Sequence, residues 1–154
     1  MTVTDYTVDL RRLEDFPAGE LYALLKLRVD IFVVEQKCPY PELDGKDPEA
    51  LHLRLMADEE LLAAARIFPP SSDGAARIGR VAVSPQHRGK RLGEAVMREA
   101  ITACGQHFPG KPIALSAQSH LLRFYQALGF VAVSDEYLED GIPHIDMKRD
   151  HSQK

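Results

Sequence analysis

The sequence predicts an α+β fold, a mixed sheet covered by helices. Three observations predict it: an antiparallel meander in the first half, strand–helix alternation in the second, and a glycine-containing junction between them. Tyr6 to Leu10 alternates apolar with polar side chains and reads as a first strand. After Pro17 and Gly19, residues Leu21, Leu24, Leu25, Val29 and Phe32 recur near helical spacing, so a helix follows. Cys38 to Pro48 holds Pro39, Pro41, Gly45 and Pro48, which break regular structure, and its Glu42, Asp44 and Asp47 make it an acidic loop. Leu51 to Ala57 and Glu60 to Phe68 read as strands joined tightly at Asp58-Glu59, and Ala76 to Val83 as a third after the Ser72-Asp73-Gly74 turn. From Gly93 the period changes: Val96, Ala100 and Cys104 fall four apart, with Met97 and Ile101 beside them, until Phe108-Pro109-Gly110 stops the helix. Ile113 to Ala117 reads as a short buried strand. Ser119 is expected to cap a helix that runs to Leu128 and stops at Gly129, and Val131 to Val133 and Ile142 to Met147 complete the sheet.

The chain has 154 residues, 45% of them hydrophobic, which suits one domain over 1–154 with one substantial core. Nineteen Lys and Arg against twenty-three Asp and Glu leave a net charge of −4, so no global field draws the chain to nucleic acid or to an anionic membrane. An anion site must therefore be local. No apolar run approaches the roughly 20 residues that span a bilayer, and Met1 to Leu10 lacks the pattern of a secretory signal, so a cytoplasmic location is expected. Cys38 and Cys104 stand far apart without metal-ligand spacing, which points to reduced thiols and to no metal site.

The strongest chemical feature is Val81-Ala82-Val83-Ser84-Pro85-Gln86-His87-Arg88-Gly89-Lys90-Arg91-Leu92-Gly93, a strand leading through a turn into a helix. The first turn of a helix leaves backbone N–H groups without partners and carries the positive end of the macrodipole, a geometry that suits a phosphate. Gly89 and Gly93 permit close approach, and Arg88, Lys90 and Arg91 add local positive charge. The basic run holds no aromatic residue to stack a base, which argues against nucleic acid.

These residues resemble the acetyl-CoA loop of the GCN5-related N-acetyltransferase (GNAT) superfamily, Gln/Arg-x-x-Gly-x-Gly/Ala between a strand and a helix. Gln86 and Gly89 match its first two fixed positions; Arg91 departs from the small third residue. Phe124-Tyr125-Gln126-Ala127-Leu128-Gly129-Phe130 is similar to a second signature of that superfamily. Arg28 to Gln36, Cys38 to Asp44, Ala117-Gln118-Ser119-His120 and Glu139 to His144 narrow the resemblance to its ElaA-like subgroup. The resemblance implies a mixed, splayed sheet of about six to seven strands with helices on both faces. It also implies acetyl-CoA as co-substrate, its pantetheine arm on Val81, Ala82 and Val83 and near Gln118, and its pyrophosphate on the backbone of Arg88, Gly89, Lys90, Arg91, Leu92 and Gly93.

The implied reaction is direct transfer of an acetyl group to a primary amine on a small molecule or peptide, by a monomer or homodimer. It needs a neutral nucleophile, donors for the oxyanion and a proton for the thiolate. The resemblance gives the last task to Tyr125 and the second to backbone N–H groups near Val83. Many relatives carry a carboxylate base on the strand before the loop, but Ala76 to Val83 contains no acid. Glu35, Asp44, His52, His120 and His144 are the base candidates, with Glu35 and His144 ranked first. The acidic set Glu35, Glu42, Asp44 and Asp47 would favour a cationic acceptor or form a solvated face. A non-catalytic acyl-CoA-binding module and transfer of a longer acyl group are the alternative readings.

Overall fold

The computed structural model describes residues 5–150. Its meander comprises β1 (Thr7–Arg12), β2 (Leu51–Ala57), β3 (Glu60–Phe68) and β4 (Ala76–Val83), each antiparallel to the next. The β2–β3 connection is a two-residue loop in which Asp58 and Glu59 both have positive φ, the backbone twist that matches flanking strands. Between β1 and β2, α1 (Ala18–Val29) continues into a π-helical turn, Asp30–Glu35. The second half contains α2 (Leu92–His107), β5 (Ile113–Gln118), α3 (Leu122–Gln126), β6 (Val131–Ala132), β7 (Tyr137–Glu139) and β8 (Ile142–Arg149).

The strand order is β1-β2-β3-β4-β5-β8, and both β6 and β7 pair with β8. The strip Leu92, Val96, Met97, Ala100 and Cys104 of α2 packs on Leu53, Leu55, Ala63, Ala65, Ile67 and Ile78, side chains that alternate to one face of the sheet. The opposite face takes α1 and its flanks, where Leu24 and Leu27 of the helix, Phe16 before it and Ile31 of the π-helical turn meet Ala64 and Ala82. Helices therefore cover both faces.

Four local expectations change. The periodic pattern from Leu21 to Phe32 is not one α-helix, because Gln36 N–H bonds to Ile31 O at 3.1 Å and the register widens to five residues. Ser119 does not cap a helix: it opens a 3-10 turn, Ser119–Leu121, and its buried hydroxyl has no hydrogen-bond partner among the described residues. The helix after it ends at Gln126 rather than Leu128. The three residues of β7 carry no readable alternation, and with them the sheet counts eight strands among the described residues, one more than the upper end of the expected six to seven or so.

Candidate active site

Two strands part company at the centre of the sheet. The parallel pair β4 and β5 is joined only at Ala76↔Ile113 and Arg77↔Ala114, and beyond that point no ladder connects them. The cause lies in β4. Between Ala64↔Ala82 and Arg66↔Gly79, β4 has one more residue than β3, a bulge in which Arg80 takes φ +50°. Past the bend the end of β4 has no ladder partner on the β5 side among the described residues. Ser84 N–H bonds to Leu62 O at 2.9 Å, so ladder alternation turns the N–H and C=O of Val83 toward the opening and those of Ala82 toward β3. A cleft of about 1420 Å³ passes through the gap.

At one end of the cleft stands the N-terminus of α2. Its first backbone bond is Ala95 N–H to Arg91 O at 3.1 Å, and no side chain caps it, so the N–H groups of Leu92, Gly93 and Glu94 remain available. Gly89 has φ +84°, and a Cβ there would meet no protein atom within 4 Å, which leaves that face open to a ligand. Arg91 takes the left-handed conformation, φ 61°. The left-handed region favours a small residue, and here an arginine fills it. These features fit a pyrophosphate. The basic side chains contribute less than their sequence implies: Arg88 is held bidentately by Glu35 at 2.7 and 2.8 Å, and Lys90 does not line the cleft but contacts His87 at 3.3 Å. Arg91 alone of the three lines the cleft without an ion-pair partner among the described residues.

The acidic loop is neither a solvated face nor a free acidic field. Glu42 and Asp47 are buried. Alternating charges close a ring: Arg80 to Glu42 (2.7 Å), Glu42 to Arg28 (2.8 Å), Arg28 to Asp47 (2.8 Å), Asp47 to Arg66 (3.1 Å), Arg66 to Asp44 (3.0 Å) and Asp44 to Arg80 (3.5 Å). Three carboxylates are thus matched by three guanidinium groups from α1, β3 and the bulge of β4. Burial disfavours the charge on Asp44, but the bonds from Arg66 and the Lys46 N–H outweigh it and hold the carboxyl at about 2. The expectation that these acids attract a cationic acceptor is therefore corrected.

This environment also separates the base candidates. Asp44 belongs to the ring. Glu35 lines the cleft, but the bond from Arg88 lowers its pKa, which opposes the work of a base. His52 lies outside the cleft lining, its Nε2 3.1 Å from Asp47 O, and burial lowers its pKa. His120 is exposed at the rim. His144 is buried in the cleft wall with Nδ1 2.7 Å from Ile142 O. A carbonyl only accepts, so Nδ1 carries the hydrogen and Nε2 keeps its lone pair.

Tyr125 faces the cleft from α3 and is 8% exposed, with T-shaped ring contacts to Phe124 and Phe130. Its hydroxyl makes no hydrogen bond among the described residues, and burial pushes it up to about 12. Gln118, at the end of β5, also lines the cleft and donates to Gln36 Oε1 at 3.3 Å, a residue sequence reasoning had not selected. Cys104 is buried in the α2 stripe with its thiol pushed up to about 12, unsuited to nucleophilic work.

A split sheet, a bulged strand and a bare helix N-terminus line this cleft, and residues 28–151, which include them, match the model for the acetyltransferase (GNAT) domain. The chain belongs to the GNAT acyltransferase family. Within that family it is ElaA-like, being 45% identical over 139 residues to Protein ElaA of Escherichia coli (strain K12), 88% of this chain and 91% of that one. The crystal structure of Escherichia coli ElaA superposes with a TM-score of 0.87 at 41% identity, covering 95% of this chain and 100% of that one. An acyl-CoA N-acyltransferase from Pseudomonas aeruginosa gives a TM-score of 0.89 at 44% identity, covering 94% and 99%. GNAT membership makes the protein an acyltransferase that uses acyl-CoA, and no helix among the described residues is long and apolar enough to cross a membrane.

Proposed function

We propose that the protein transfers an acetyl group from acetyl-CoA directly to a primary amine, with His144 as base, Val83 N–H at the oxyanion and Tyr125 at the departing sulfur. The observation that carries this reading is the opening between β4 and β5, with Val83, Tyr125 and His144 all on its walls. Backbone of Gly89 to Gly93 would hold the pyrophosphate, and Val81, Val83 and Gln118 would flank the pantetheine arm. Bound acyl-CoA supplies an activated thioester.

An amine reaches the site as an ammonium ion and must lose a proton before it can attack. His144 Nε2 accepts that proton, since Nδ1 holds its hydrogen toward Ile142 O. Val83 N–H then stabilises the developing oxyanion, and Tyr125 donates to the thiolate. The magnitude of the last effect follows from acidity. A phenol at about 12 is weaker than an ordinary thiol near 8.5, so complete proton transfer is uphill by about 4 to 5 kcal/mol. Tyr125 therefore acts chiefly by hydrogen bonding the sulfur as charge develops there.

The test is release of free CoA from acetyl-, propionyl- and succinyl-CoA, with and without lysine amide, spermidine and benzylamine. Amine-dependent release, fastest with acetyl-CoA, is expected. Saturable binding without amine-dependent release would mark an acyl-CoA-binding module, and faster release from a longer donor would displace acetyl as the transferred group.

A further inference from the structure

Tyr137 stands beside His144 with its hydroxyl tied to two side chains, Asp146 and Ser116. The two residues face one another across β7 and β8, in register Tyr137↔His144. The phenol ring stacks on the imidazole with centroids 6.2 Å apart and planes inclined by 27°. Its hydroxyl lies 2.5 Å from Asp146 Oδ1 and 3.1 Å from Ser116 Oγ, and Ser116 Oγ donates to the same carboxylate oxygen at 3.0 Å. Burial and the bond to Asp146 both raise the phenol's pKa, so it remains a donor at neutral pH.

The anchoring has a direction. Asp146 lies two residues beyond His144 on β8, and Ser116 lies two residues before Gln118 on β5, where Gln118 pairs with His144 and Ser116 with Asp146. All four side chains therefore alternate to the same face of the sheet. The Asp146–Ser116 pair fixes the phenol, the phenol covers one face of the imidazole, and Ile142 O takes the hydrogen on Nδ1. An imidazole so held cannot rotate to place Nδ1 in the cleft. We infer that Tyr137 is a positioning residue that keeps His144 in the single tautomer able to accept the acceptor's proton at Nε2. This rests on the reading of His144 as base. In the step concerned, the proton leaves the ammonium for Nε2, and the imidazolium that forms faces Glu139 Oε2 at 3.8 Å, an exposed carboxylate next to solvent.

The experiment reads the tautomer without requiring an acceptor. Imidazole nitrogen shifts of His144 are measured by NMR on the full chain at about pH 8.5, well above the ordinary histidine pKa near 6.5. Wild type and Tyr137→Phe, which keeps the ring over the imidazole, should show one form protonated at Nδ1. Tyr137→Leu should show both tautomers in exchange, with the remaining amide spectrum unchanged outside the β7–β8 hairpin. A sharp Nδ1-protonated signal retained in Tyr137→Leu overturns the positioning role, because Ile142 O alone would then suffice. The base reading is examined independently with His144→Gln, using whichever amine releases CoA in the panel above. Full turnover in His144→Gln would remove the base assignment while leaving the tautomer measurement to stand or fall on its own.

Discussion

At Tyr125 the ring is held by Phe124 and Phe130, while the hydroxyl is free of protein partners among the described residues. Tyr125→Phe removes only that hydroxyl, so acetyl-CoA affinity and melting temperature should stay near wild type. Turnover should fall by about 10²-fold, the lower end for a lost acid, because the phenol is a poor proton donor to a thiolate. Steady-state rates under conditions where chemistry limits will check this, and full turnover would release Tyr125 from its role. Gly89 offers a second substitution. A side chain there would meet no protein atom, so the damage in Gly89→Val should come from the positive φ and from the ligand's approach rather than from packing. Folding stability should drop by about 1 to 3 kcal/mol. CoA affinity measured by calorimetry on the folded variant should fall at least about tenfold, roughly 1.4 kcal/mol; undiminished affinity would contradict the cradle.

The charge ring acts at the level of elements, since it ties α1, the acidic loop, β3 and the bulge of β4 at one place. A buried ion pair is weak evidence for net stability, but breaking one by removing a single partner costs about 3 to 5 kcal/mol, because the other charge is left uncompensated. Glu42→Gln leaves Arg28 and Arg80 without their shared carboxylate. Because Arg28 keeps Asp47 and Arg80 keeps Asp44, the unfolding free energy should fall by less than that, by about 1 to 3 kcal/mol, in denaturant titration. The ring also predicts an acid limb. Asp44 is held at about 2 against an ordinary value of 3.8, and the Asp47 pKa is lowered as well. Such groups contribute stability that is complete above their unfolded pKa and is lost as pH falls through the folded one. Melting temperature should therefore decline between about pH 4 and pH 2, and this decline should be shallower in Asp44→Asn. An equal slope in that variant would show that the ring does not carry it. None of this was legible from the acidic loop, because the partners Arg28, Arg66 and Arg80 come from three other elements. The bulge was hidden for a similar reason: Arg80 takes a positive φ where sequence reasoning looks for glycine.

For the molecule as a whole, the order of strands and helices was readable because most elements are long enough to show a period, and because the junction before α2 combines a strand, a glycine turn and an amphipathic helix. The site was readable in part. Val83, Gly89, Gly93, Gln118, Tyr125, Glu35 and His144 do meet in one cleft, whereas Lys90 lies outside it and Ala82 turns its backbone to β3. Tyr137 and the β7 strand were missed, since three residues give no periodicity and the link from Tyr137 to Asp146 and Ser116 depends on pairing across three strands. On this reading the parted strands and the bare end of α2 together hold acyl-CoA. Titration of CoA into isotope-labelled protein, followed by backbone amide shifts, tests it most directly. Saturable shifts are expected at Leu92, Gly93 and Glu94 together with Val83, whose N–H faces the opening; saturable binding that leaves these four amides unmoved would show that acyl-CoA is held elsewhere.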